Sequence, residues 1–130
     1  MNMHTAVRLR LLNYPGVQPI VGNRIYWLRK PESVEETCIS FSRVSNPKDS
    51  KINRYSPRFQ FDVWSTSGEE ASELAELVDK AFDRFKGVMG GEAGKPIKQG
   101  SYENMTELYE EDTGIYHIPV DVFFHYIEEN

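Results

Sequence analysis

The chain has 130 residues, 39% of them hydrophobic and 27% charged, and a formal net charge of −5. This suits one folded, soluble domain around one core, residues 1–130, and the acidic balance argues against wrapping nucleic acid, which needs a basic footprint. A single cysteine, Cys38, rules out an internal disulfide and fits a reducing compartment.

Residues 4–13 mix Ala6, Val7, Leu9, Leu11 and Leu12 with two arginines and read as a short helix, stopped by Tyr14-Pro15-Gly16. No long apolar run or small-residue cleavage site marks residues 1–12, and no stretch reaches the ~18 apolar residues of a membrane span. Neither a signal peptide nor a membrane partner is therefore expected. Gly22-Asn23 turns the chain into a short strand over 24–28. A second strand follows at 37–44, where Ile39 and Phe41 alternate with Cys38, Ser40 and Ser42.

Residues 45–56 carry Lys48, Lys51 and Arg54 with little apolar content, and read as an exposed, mobile loop. Pro57 opens a third strand at 58–65, with Phe59, Phe61 and Val63 on one face and Arg58, Gln60, Asp62 and Trp64 on the other. The pattern Ala71, Leu74, Val78, Ala81, Phe82, Phe85 predicts a helix over 68–86. Ser67 and Glu70 have capping-box spacing, and Gly87 suits the residue past the helix end. A glycine-rich link at 89–96 leads to a strand of mixed content at 97–108. Asp112-Thr113-Gly114 makes a turn into the last strand, 115–127, whose Tyr116, Ile118, Val120, Val122, Phe124 and Tyr126 share one face. The fold expected is α+β: one mostly antiparallel sheet of four to five strands, with two helices packed mainly on one face.

Three stretches resemble chemical motifs and fail on context. Gly90-Gly91-Glu92-Ala93-Gly94-Lys95-Pro96 lacks the first glycine of a phosphate loop (Met89 stands there), has proline where a Mg²⁺-binding hydroxyl belongs, and follows a helix. Asp112-Thr113-Gly114 is the aspartic-protease triplet, but Glu110 and Glu111 mark a wet turn rather than a buried dyad. His117, Asp121 and His125 share a strand face, yet four residues of strand cover about 13 Å, too far for one ion. Cys38 has no neighbour to lower its pKa and reads as a small buried hydrophobe. No catalytic residue, cofactor site or metal site is expected.

Two features point instead to assembly. Trp64 and Phe123 face away from the expected core, and either form an exposed aromatic interface or are covered by the N-terminal helix or a loop. Charge is also divided: Lys48, Lys51 and Arg54 cluster in one loop, while Glu107, Glu110 and Glu111 cluster before the last strand. Unlike patches that meet head to tail form a ring when the rotation closes.

The order Val21-Gly22-Asn23-Arg24-Ile25-Tyr26, then Phe59-Gln60-Phe61-Asp62-Val63-Trp64 feeding the Glu70–Val78 helix, then Tyr109 and Asp112-Thr113-Gly114-Ile115-Tyr116-His117, resembles the tail-completion (tail-terminator, head–tail joining) proteins of long-tailed bacteriophages. The resemblance runs from about Leu9 to Tyr126, and the strand at 37–44 is more polar than the family pattern. It implies a virion protein, assembled in the bacterial cytoplasm, that forms a hexameric ring on the head-proximal end of the tail tube. Its partners would be its own copies, the tail-tube protein and a neck or head-completion protein, with DNA at most passing through the lumen. It implies no catalytic residues and no cofactor.

Overall fold

The computed structural model describes residues 1–128. The chain runs α1 (Met3–Asn13), α2 (Gln18–Val21), β1 (Ile25–Trp27), β2 (Cys38–Ser45), β3 (Lys48–Asp49), β4 (Arg54–Tyr55), β5 (Arg58–Ser65) and α3 (Gly68–Phe82). It continues through β6 (Gly87–Met89), β7 (Lys95–Ile97), β8 (Gln99–Met105), β9 (Leu108–Glu110) and β10 (Ile115–Ile127).

The architecture is α+β, but the sheet has eight strands rather than four or five, in the order β1-β2-β5-β10-β4-β3, with β8 and β9 also on β10. All pairs are antiparallel except β1 with β2. A separate ribbon joins β6 to β7 within the region read as a glycine-rich link. The added strands are two or three residues long, too short to show alternation. Pairing with a longer neighbour, not their own side chains, makes them strands. For the same reason residues 45–56 are not an irregular loop: β3 and β4 form a hairpin, and β4 bonds Tyr126 and Ile127. The polar strand β2 is internal, between β1 and β5. The third helix, α2, is one short turn with proline in its first turn.

One face of the sheet carries the core. Phe41, Phe59, Phe61, Val63, Val120, Val122 and Phe124 are fully buried, and Leu74, Val78 and Phe82 of α3 with Val7 and Leu11 of α1 close over them. Phe82 links helix to sheet, stacked on Phe61 at 4.9 Å and edge-on to Phe124 at 5.3 Å. Such pairs add about 0.5–1.5 kcal/mol each beyond burial of their area. The β5–β10 register places Val120 opposite Phe61 and Val122 opposite Phe59, so one slip would turn both sets to water.

Both ends of α3 differ from the simple sequence reading. At the start, Ser67 Oγ accepts from the Glu70 backbone N–H at 3.2 Å, but Glu70 does not reach back to close the box. Its carboxylate accepts from the Thr37 hydroxyl, Thr37 bonds Ser65 at 2.7 Å, and the Ser67 N–H donates to Ser65 Oγ. This network ties the entry of β2 to the helix start. At the far end the helix stops at Phe82, four residues before the expected end. Arg84 takes a left-handed φ of 62°, its N–H donates to the Gly100 carbonyl at 2.8 Å, and the Gly100 N–H donates to the Phe85 carbonyl at 2.8 Å. Arg10 of α1 covers this end, donating from Nε to the Ala81 carbonyl and lying over the Phe85 and Tyr14 rings.

Two substitutions test this frame. A Cβ on Gly100 would stand 2.2 Å from the Phe82 carbonyl oxygen. Gly100→Ala should therefore push β8 off the helix end and cost about 1–3 kcal/mol in denaturant unfolding. Val120→Asp buries a charge with no partner and should abolish the cooperative thermal transition; a normal melt would refute the face assignment.

Candidate functional site: a surface divided by charge

β10 spans 13 residues, about 40 Å of extended chain, and the two charge clusters sit at its opposite ends. At its start, Ile115 pairs with Glu110 and His117 with Leu108. Glu107, Glu110 and Glu111 are exposed there, as is Asp112 in the connecting turn. The turn is set by Gly114, whose φ is +71° and whose N–H donates to the Glu110 carbonyl, and by the Thr113 hydroxyl on the Glu110 carboxylate at 3.0 Å. Leu108 and Tyr109 are 46% and 52% exposed on the same hairpin.

At the other end, Ile127 pairs with Arg54 and Tyr126 with Tyr55. The β3–β4 hairpin thus brings Lys48, Lys51 and Arg54 together, all exposed. Lys48 Nζ lies over the Tyr55 ring at 5.2 Å, and the Lys51 backbone N–H donates to Asp49 Oδ1. Beside this hairpin is an open groove of about 490 Å³ lined by Ile52, Arg54, Lys86, Lys98, His125 and Ile127, with Gln99 and Ser101. Among the described residues none of its lining side chains is acidic. Lys95, at the same end, is occupied: its Nζ meets Glu128 Oε2 at 2.9 Å and lies over Tyr126. Arg54, Lys86 and Lys98 form no ion pair among the described residues.

Sequence reasoning missed Lys86 and Lys98. Lys86 reads as a basic residue in the last helical turn, and only the early stop at Phe82 frees it. Lys98 follows the glycine-rich stretch and joins the groove through its backbone N–H on the His125 carbonyl at 2.8 Å.

Trp64 and Phe123 are both half-buried on the face away from the helices, but they do not form one aromatic patch. Trp64 lies opposite His117 and Phe123 opposite Arg58, six residues apart on β10, about 20 Å. The imidazole of His117 covers one face of Trp64, stacked at 3.8 Å and 7°, the indole N–H donates to Ser40 Oγ at 2.9 Å, and the loop at residues 30–36 lines a cleft beside the ring. His117 Nε2 is held by Asp62 Oδ1 at 2.8 Å, and Gln60 donates to the same oxygen. Period-2 alternation could assign the face but not this cross-strand stack.

Ser56 Oγ and His125 Nδ1 are 2.9 Å apart, a hydroxyl–imidazole contact, and among the described residues no carboxylate bonds His125. Burial, with the neighbouring Arg54, pushes the His125 pKa down. Burial pushes the Cys38 thiol up, away from reactivity. Among the described residues no group of three His, Cys, Asp or Glu side chains is placed to hold a metal, and no helix is long and apolar enough to cross a membrane.

A family model described as "Tail completion protein gp17" matches residues 5–126. The chain belongs to that family. It is a phage virion structural protein. No curated protein matches at a significant level. Among solved structures, one chain from the virion of a native gene transfer agent particle is similar at a TM-score of 0.77 and 16% identity, covering 95% of this chain and 92% of that one. A second solved chain, bearing no functional name, is similar at a TM-score of 0.61 and 12% identity over 100% of both chains. At such identities these likenesses establish a shared fold. In this tail-completion protein the two charge clusters lie at opposite ends of β10.

The depressed His125 pKa gives a signed pH prediction. The folded state favours the neutral ring, so the stability that His125 contributes is present above its unfolded pKa of about 6.5 and lost as pH falls below it. Between about pH 7.5 and 5.5 the wild type should lose more stability than His125→Gln, measured by urea midpoints. Parallel curves would show that His125 titrates alike in both states.

Proposed function

We propose that this tail-completion protein is a non-catalytic subunit that caps the finished tail tube as a ring, at its head-proximal end, and joins the tail to the neck and head. The observation that carries the reading is the separation of acidic and basic surfaces to opposite ends of β10, in a chain of this family. Unlike surfaces at two ends of one subunit suit a head-to-tail contact, and such contacts close into rings. Six copies is the expected number. A chain of net charge −5 with both signs exposed stays soluble, its copies associate weakly in solution at low salt, and the tube end then supplies the template on which they close into a ring. The ring would form in the host cytoplasm, with DNA meeting only its lumen.

Electron microscopy of purified tail tubes incubated with the protein tests this directly. The expected image is a ring on one end of each tube; bare ends at saturating protein would reject the capping role. Lys51→Glu with Arg54→Glu should abolish end decoration while moving Tm by no more than about 2 °C, since both residues are exposed. A large drop in Tm would instead assign these residues to folding.

A further inference from the structure

Three features of the surface stand out: the basic groove, the Trp64–His117 stack and the acidic hairpin. Two of them complement each other. The tip formed by β9 and its turn carries Glu107, Glu110, Glu111 and Asp112 with no basic residue, and shows Leu108 and Tyr109 half-exposed. The groove carries Arg54, Lys86 and Lys98 with no acidic lining among the described residues, and its rim shows Ile52 at 51% and Ile127 at 39% exposure. Each surface pairs one sign of charge with solvent-exposed apolar side chains. Among the described residues nothing closes over either surface, though the Tyr109 ring packs on Tyr116 at 4.7 Å.

We infer that the β9–β10 hairpin tip of one copy seats in the groove lined by Arg54, Lys86, Lys98, Ile52 and Ile127 of the next. The occupant is a second copy of this chain, and the inference rests on the ring reading above. A single copy cannot fill its own groove, because tip and groove lie at the two ends of β10, about 40 Å apart along one continuous strand. The groove is open, with a volume of about 490 Å³, and leaves a few side chains of a neighbour room to lie along it. The apolar residues supply burial, with Leu108 and Tyr109 opposing Ile52 and Ile127. The charges set register and exclude the reverse pairing, in which acidic tip would meet acidic tip. β9 also has an outer edge that pairs with no other strand among the described residues, so the tip offers backbone as well as side chains. Because the two surfaces are unlike, each copy keeps one of each to offer, and the contact propagates until it closes.

A charge swap tests the pairing. One variant reverses the groove (Arg54→Glu, Lys86→Glu, Lys98→Glu); the other reverses the tip (Glu107→Lys, Glu110→Lys, Glu111→Lys). Each alone carries one sign on both surfaces and should associate at least about tenfold more weakly than wild type in sedimentation at low salt. Mixed one to one, they should regain association and sediment as alternating oligomers. In parallel, Ser101→Cys and Tyr109→Cys copies, mixed at high concentration and oxidised, should form a mixed disulfide well above a Glu92→Cys control, the native Cys38 being buried. The inference is overturned if the mixed reversals associate no better than either alone and the 101–109 cross-link does not exceed the control. The ring reading fails separately. Bare tube ends with the cross-link present would keep this contact and reject capping, whereas decorated ends without the cross-link would keep capping and reject this contact.

Discussion

The pairing of β10 with β5, in the one register that faces Val120 to Phe61 and Val122 to Phe59, is the constraint on which the rest of the molecule depends. It fixes which sheet face meets α1 and α3. It places Phe61 and Phe124 where Phe82 can lie between helix and sheet. Because β10 is 13 residues long and β5 only 8, it also leaves lengths of strand beyond β5 at its end, and these recruit the short strand β4. β8 and β9 take the other edge. Four strands thus hang on one, and the two charge clusters are positioned by it at a fixed separation.

Much of this was legible in the sequence because it is repetitive. The alternation in residues 58–65 and 115–127 gives both strands with their observed bounds, and the stripe from Ala71 to Phe82 gives the helix. What was not legible depends on partners. Strands of two or three residues carry no period, and β3, β4 and β9 form only because β10 offers free backbone. Phe85 continues the helical stripe yet lies beyond the helix, because Arg84 and Phe85 bond to the backbone of Gly100 instead. The Glu70 side chain has a capping position but finds the Thr37 hydroxyl, a choice set by 33 residues of intervening chain.

The surface divides in the same way. Lys48, Lys51 and Arg54, and Glu107, Glu110 and Glu111, are adjacent in sequence and stand out as runs. Lys86 and Lys98 lie in different segments of the sequence and meet only where the α3 end and the start of β8 converge. The aromatic residues Trp64 and Phe123 were placed on the correct face, but alternation treats all residues of a face alike. It could not show that His117, held by Asp62, would cap the indole and leave Phe123 apart.

The length of β10 has a mechanical meaning for an assembly joined through its two ends. Force drawn through such a contact enters at the Ile127 end and leaves at the Ile115 end, parallel to the strand. The hydrogen bonds to β5 and β8 then lie across the line of pull and share the load together, rather than opening one after another as in peeling. A contact of that kind would thus load the sheet along the direction in which its hydrogen bonds act together.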